Sequence, residues 1–291
     1  MADQFIGSTD GVTLRVRVLA APPDATSTVL FAHATGFCAD VWDPMAGEPA
    51  LAGIAAVSLD FRVHGSSTRP DDDDLSWSGM ADDVLALIDH LVVTGGHRRL
   101  VGAGHSMGGA ALLLAEQRRP GTFDGIWCYE PVVFPPDALG GSDDNPLAVG
   151  AARRRPDFPS ADAAVDNFSS KPPMNRFRPD AVEAYVRGGF RALPDGSVTL
   201  CCRPEDESRV YRMALQSGAW DHLDSIRCPT VVLRGGPTPP GPAAFAPALV
   251  DGLAAGRLEE HGHLGHFGPM EDPVSMAASL AALITSVTPP E

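Results

Sequence analysis

The stretch Leu100-Val-Gly-Ala-Gly-His-Ser-Met-Gly-Gly-Ala-Ala-Leu-Leu-Leu114 reads as a strand, a glycine turn and a helix, and two kinds of chemistry fit it. In the first, Gly104-His105-Ser106-Met107-Gly108 is a G-x-S-x-G nucleophile elbow, with Ser106 on a sharp strand-to-helix turn. The glycines admit backbone too close for a Cβ, and the helix N-terminus beyond favours developing negative charge. In the second, Gly102-x-Gly104-x-x-x-Gly108 is a dinucleotide turn whose amides cradle a pyrophosphate, and Glu130, ending the next strand, is its ribose-binding acid. A purely structural strand-helix turn is a third reading.

Distant segments bear on the choice. A dinucleotide fold usually opens with its glycine turn, yet three or four strand-like runs precede this one. The proton relay of short-chain dehydrogenases needs Tyr-x-x-x-Lys, but the only lysine is Lys171 and Asn167 stands four residues before it. A serine nucleophile, in turn, needs a general base to take its proton and a third group to orient that base. Near the C-terminus the chain reads Glu260-His-Gly-His-Leu-Gly-His-Phe-Gly-Pro-Met-Glu-Asp-Pro273. His261, His263 and His266 thus compete for the base in a glycine-bounded loop between a last strand and a last helix, where the chain order Ser, acid, His places it.

The elements that must hold these residues alternate along the chain. Gln4–Gly7 and Val12–Leu19 read as a hairpin about Ser8-Thr-Asp-Gly11. Thr28–His33, Ile54–Phe61, Leu100–Gly104 and Gly125–Tyr129 are nearly continuous apolar runs, suited to parallel strands buried on both faces. Met80–Leu91 has helical periodicity. From about 135 to 212 the rhythm breaks with Pro, Gly and Asp, and Arg153-Arg154-Arg155 reads there as a solvated charge cluster. A structureless loop of that length is unusual in a compact domain, so the segment is expected to carry helices and cover something. Pro229–Arg234 (strand), Ala243–Ala255 (helix), Arg257–Glu260 (strand) and Val274–Val287 (helix) resume the pattern. The expectation is an α/β sheet with an antiparallel start.

Four segments in order make the chain resemble the serine α/β-hydrolase superfamily over nearly its whole length. They are His33-Ala-Thr-Gly-Phe37, Asp60-Phe-Arg-Val-His-Gly-Ser66, the elbow at Ser106, and His266-Phe-Gly-Pro-Met-Glu-Asp-Pro273. The resemblance implies an α/β-hydrolase fold, with residues 1–134 and 213–291 as the core and 135–212 as an inserted, helical cap or lid. It implies His266 as base, because such loops place the histidine directly before an aromatic or aliphatic residue and an (M/L)-E-x-P helix start. His263 is the second choice, and His261 falls at a strand end. Most members carry an Asp just after the strand matching Pro229–Arg234, but here no carboxylate occurs from Val231 until Asp251. The superfamily's other acid position, the end of the strand after the nucleophile helix, is occupied by Glu130.

The same resemblance implies an oxyanion hole from the amides of Met107 and Thr35, the Thr35 hydroxyl being a further donor. Ala34 stands where many members have Gly and would be strained if φ were positive there. His33, His64 and His105 belong to the motif frames as loop-ordering residues. Trp42, Phe37, Trp127, Phe134, Phe168, Phe177, Tyr185 and Phe190 are candidates for an apolar pocket or for ordinary core. Ser106 at the elbow, where epoxide hydrolases and haloalkane dehalogenases have a carboxylate, argues against both. The activity implied is metal-independent and cofactor-free: hydrolysis of a carboxylic ester, thioester or lactone, with a small-molecule acyl substrate and an acyl-enzyme intermediate. Acyltransferases and cyclases use the same triad, and ligand-binding receptors share the fold.

Composition narrows the partners. The 291 residues carry 22 Lys+Arg against 37 Asp+Glu, a formal net charge of -15, and no basic stripe. Neither nucleic acid nor an anionic membrane surface is an expected partner. No run approaches the roughly 20 apolar residues that span a bilayer, and no basic-then-apolar leader is visible. Five scattered cysteines show neither a disulfide framework nor zinc-ligand spacing, which points to reduced thiols in a cytoplasmic protein.

Overall fold

The computed structural model describes residues 3–94, 99–135, 145–236 and 241–287. Eleven strands and ten α-helices follow one another along these residues. They are β1 (Asp3–Gly7), β2 (Thr13–Ala20), β3 (Thr28–Ala32), α1 (Asp43–Ala46), β4 (Ala55–Leu59), α2 (Trp77–Val93), β5 (Leu100–His105), α3 (Met107–Arg118) and β6 (Gly125–Tyr129). Then come α4 (Pro146–Ala152), β7 (Asp157–Phe158), α5 (Ala161–Ser169), α6 (Pro179–Gly189), β8 (Phe190–Ala192), β9 (Val198–Leu200) and α7 (Pro204–Arg212). The chain closes with β10 (Thr230–Arg234), α8 (Pro242–Gly252), β11 (Gly256–Glu260), α9 (Gly268–Glu271) and α10 (Pro273–Val287).

Eight strands form one sheet in the order β1-β2-β4-β3-β5-β6-β10-β11. β1 and β2 pair antiparallel, β2 meets β4 antiparallel, and every later pairing is parallel. The apolar runs explain this: in β3, Leu30 and Ala32 enter a core with α2, α3 and α8, while Val29 and Phe31 enter a second core with α1, α6 and α10. A strand buried on both faces alternates between two apolar layers rather than between core and water. Parallel order also brings the C-terminal ends of β3, β5, β6 and β10 side by side, so the loops that leave them share one edge.

Sequence patterning slightly misplaced one helix. α2 begins at Trp77, three residues before the expected Met80, because the Ser76 hydroxyl accepts the Gly79 amide at 3.3 Å and caps it there. The segment expected to interrupt the alternation does so between β6 and β10, with α4–α7 and a small antiparallel sheet ordered β7-β9-β8. Its α6 lies against the turn Ala39–Trp42, where Arg187 reaches Asp40 at 3.1 Å. Asp40 also binds Arg15 of β2 at 2.8 Å, so one buried carboxylate joins this segment to the sheet. Residues 136–144 of the expected cap, and the proline-rich 237–240 after β10, lie outside the described residues. Among the described residues no helix is long and apolar enough to cross a membrane.

Candidate active site

β5 ends at His105 and α3 starts at Met107, so Ser106 alone makes the reversal, at φ 56° and ψ -116°. Two glycines permit it. A Cβ at Gly108 would lie 2.1 Å from the Ala32 carbonyl oxygen, and one at Gly104 would lie 2.6 Å from the Gly109 Cα. The turn is anchored to its neighbour by Ser106 N–H donating to the Tyr129 carbonyl at 3.1 Å and Val132 N–H donating to the Ser106 carbonyl at 3.2 Å.

Next to it, β6 ends in Tyr129 and the chain turns at Glu130, which also has a positive φ, 40°. Its amide donates to the Leu233 carbonyl at 2.8 Å, and its carboxylate Oε1 accepts the Gly235 amide at 2.8 Å. Oε2 lies 2.6 Å from His266 Nδ1. Because an ionised carboxylate only accepts, Nδ1 carries the proton, and the free lone pair of Nε2 faces Ser106 Oγ at 3.2 Å. Glu130 and Ser106 are buried, while His266 keeps 31% of its side chain accessible. Residues 106, 130 and 266, each named from sequence, therefore converge. His263 instead faces Asp272 at 3.9 Å and is largely exposed, and His261 lies 3.7 Å from Glu259.

Thr35 and Met107 sit together beside this relay, with the Thr35 hydroxyl donating to Met107 Sδ at 3.3 Å. Met107 N–H opens α3, where helix geometry leaves an amide without an intrahelical acceptor. The neighbouring loop amides are committed, Gly36 to His64 Nε2 at 3.0 Å and Phe37 to the Ala34 carbonyl at 3.1 Å. The Thr35 amide has no protein acceptor among the described residues. Strain at Ala34 does not arise: the positive φ falls on Gly36, at 78°.

His33 and His64 hold this loop from behind, a role that the motif frames suggested only in outline. Each accepts a backbone amide at Nε2, from Phe61 at 3.1 Å and Gly36 at 3.0 Å, and each donates from Nδ1 to a backbone carbonyl. Both must be neutral to do so. Burial drives both below the ordinary histidine range, His64 to about 4. In His64→Gln the amide can replace both hydrogen bonds but does not titrate. Since the folded value of about 4 lies below 6.5, the unfolded chain binds more protons, and stability is lost as pH falls from 6.5 towards 4. Between pH 7 and pH 4.5 the wild type is expected to lose about 2 kcal/mol more than the variant in urea unfolding. Equal losses would show that His64 protonates without penalty in the folded chain.

A wall of rings leads away from the serine. Phe267 packs on His266 at 5.1 Å, on Phe37 at 5.6 Å and on Phe177 at 5.3 Å, and Phe37 meets Tyr185 at 5.2 Å. Trp42 and Trp127, the other pocket candidates on the core strands and turns, are fully buried core residues. Arg153 and Arg155 of the arginine cluster are exposed, as a solvated face requires, but Arg154 is not. Arg154 bonds to Glu207 and to the Tyr185 hydroxyl, and a Cβ on Gly36 would lie 2.4 Å from Glu207 Oε1. Burial raises the Glu207 carboxyl above its ordinary value, with Arg154 opposing. Charge counting could not separate Arg154 from Arg153 and Arg155, because only the fold brings Glu207 and Tyr185 to it.

The alpha/beta hydrolase family matches residues 29–279, and the chain belongs to that family. Among curated proteins it is 27% identical over 183 residues to two type I acyl-CoA thioesterases of Penicillium brevicompactum, a match covering 59% of this chain and 42% of theirs. The chain thus spans less than half the length of those relatives. Among solved structures it is similar to E-2-(acetamidomethylene)succinate hydrolase, with a TM-score of 0.79, 18% identity and coverage of 98% of this chain and 99% of that one. The thioesterase domain from the curacin biosynthetic pathway aligns with a TM-score of 0.74 and 19% identity, covering 98% and 99% of the two chains. At these identities the two structures establish the fold alone.

Proposed function

We propose that the chain is a serine hydrolase that cleaves a carboxylic ester, thioester or lactone through an acyl-enzyme. The observation that carries this reading is the relay from Ser106 Oγ to His266 Nε2 at 3.2 Å and from His266 Nδ1 to Glu130 Oε2 at 2.6 Å. In the first half-reaction Ser106 Oγ attacks the acyl carbonyl carbon and its proton passes to Nε2. The oxyanion is held by the amides of Met107 and Thr35, assisted by the N-terminus of α3. Collapse expels the alkoxide or thiolate, which takes the Nε2 proton, and leaves the acyl group on Oγ. Water then loses a proton to Nε2 and attacks the acyl carbonyl, and collapse returns the proton to Oγ. Residues 135–212 act as the cap, with Phe177, which packs on Phe267 at 5.3 Å, bringing apolar surface to the acyl pocket.

The two acyl-CoA thioesterases among the sequence relatives support the inclusion of thioesters. Labelling with a fluorophosphonate, followed by mapping of the modified peptide, tests the reading most directly. Stoichiometric modification of Ser106 is expected, together with a burst on p-nitrophenyl acetate and butyrate. Modification elsewhere, or tight ligand binding with no turnover, would overturn it.

A further inference from the structure

We propose that His105 and Tyr129 are positioning residues that clamp the loop carrying His266 at two consecutive carbonyls. This rests on the triad reading. His105 and Tyr129 are direct partners across β5 and β6, the last paired positions before Ser106 and Glu130. From that pair, the Tyr129 hydroxyl donates to the Gly265 carbonyl at 2.7 Å, and His105 Nε2–H donates to the His266 carbonyl at 2.7 Å. The two strands that present the nucleophile and the acid therefore also fix the backbone of the base.

Both donors are committed to this task. A carbonyl can only accept, so His105 carries its proton on Nε2, and Nδ1 is left as a lone pair. That Nδ1 is buried and has no partner among the described residues, a cost that an apolar side chain of similar size would avoid. The ring stands 4.9 Å from that of His266, and burial, then His266, holds it far below the ordinary histidine range, so it stays neutral and remains a donor on that side only. Burial likewise raises the Tyr129 phenol, which keeps its proton. The loop has been shaped to the hydroxyl: a Cβ on Gly268 would lie 2.4 Å from it, and glycine is the residue there. On its far side the loop is braced by Glu271, which accepts the Gly265 amide at 3.1 Å and pairs with Arg176 at 2.8 Å. Gly265 is thus held through both its amide and its carbonyl.

The experiment compares the full chain with Tyr129→Phe, His105→Leu, the double variant and His105→Gln, whose side-chain amide restores a donor. With p-nitrophenyl butyrate, each single loss is expected to lower kcat about 10-fold and the double variant about 50-fold, with KM within about 2-fold, because misplaced reacting groups slow chemistry rather than binding. His105→Gln is expected to recover to within about 3-fold, with its acid limb superimposed on that of the wild type. Independently of turnover, the low-field proton on His266 Nδ1 is expected in NMR spectra of the wild type and His105→Gln and to broaden or vanish in the double variant. A double variant with wild-type kcat and an unchanged Nδ1 proton would overturn the clamp, as would an acid limb displaced in His105→Gln. A wild type that neither hydrolyses nor labels at Ser106 would overturn the triad reading instead, and the Nδ1 proton would still decide the clamp.

Discussion

Ser106→Ala is expected to lower turnover of p-nitrophenyl butyrate by roughly 10⁵- to 10⁶-fold, since loss of a nucleophile removes the whole covalent route and leaves only oxyanion and binding effects. The fold should survive, because the substitution removes one side-chain hydrogen bond of 3.2 Å, while the backbone bonds of residue 106 to Tyr129 and Val132 remain. A second substitution separates chemistry from conformation. At φ 56° and ψ -116° any L side chain is strained, and glycine is not. Ser106→Gly is therefore expected to be as inactive as Ser106→Ala but more stable by about 1 kcal/mol, roughly 2 °C in melting temperature for a chain of this size. Turnover in Ser106→Ala within 10-fold of the wild type would remove Ser106 as nucleophile. A glycine variant no more stable than the alanine variant would deny that the elbow stores strain.

The parts of the molecule legible in sequence are those where local pattern and tertiary demand coincide. Thr28–Ala32 and Gly125–Tyr129 are apolar almost throughout because both faces of the sheet are covered, and a short unbroken apolar run bounded by turn residues matches that demand directly. Gly104 and Gly108 were readable as a turn because each faces backbone at a distance no Cβ tolerates. Arg154, His105 and Tyr129 were not readable in the same way. Their partners, Glu207, His266 and Gly265, lie 53, 161 and 136 residues away, and no local periodicity encodes such a pairing. Ala34 shows the converse: a family position was legible, but its dihedral was not, and the positive φ falls instead on Gly36. The contact of the Thr35 hydroxyl with the thioether of Met107, 72 residues away, is equally beyond any local pattern.

Glu130→Gln is expected to lower kcat by roughly 10³- to 10⁴-fold while KM and the fold change little. The geometry makes this substitution more damaging than simple loss of charge. The Gly235 amide, 2.8 Å from Oε1, can only donate, so the glutamine oxygen must stay there and its NH₂ must turn to His266 Nδ1. Nδ1 then has to accept, the ring proton moves to Nε2, and the nitrogen facing Ser106 Oγ at 3.2 Å no longer has a lone pair for the serine proton. In Glu130→Ala neither tautomer is imposed, and a small carboxylate such as formate, entering the vacated space, should restore part of the rate. Nor is there room for an acid at the two described positions directly after β10. A Cβ at Gly235 would lie 2.5 Å from the Leu264 carbonyl, and one at Gly236 would lie 2.8 Å from the Gly262 carbonyl, so the loop that carries His266 fills the place of that side chain. Gly235→Asp in a Glu130→Ala background should therefore fail to rescue. Unchanged turnover in Glu130→Gln would remove Glu130 from the triad, and rescue by Gly235→Asp would show that the loop carrying His266 leaves room for an acid directly after β10.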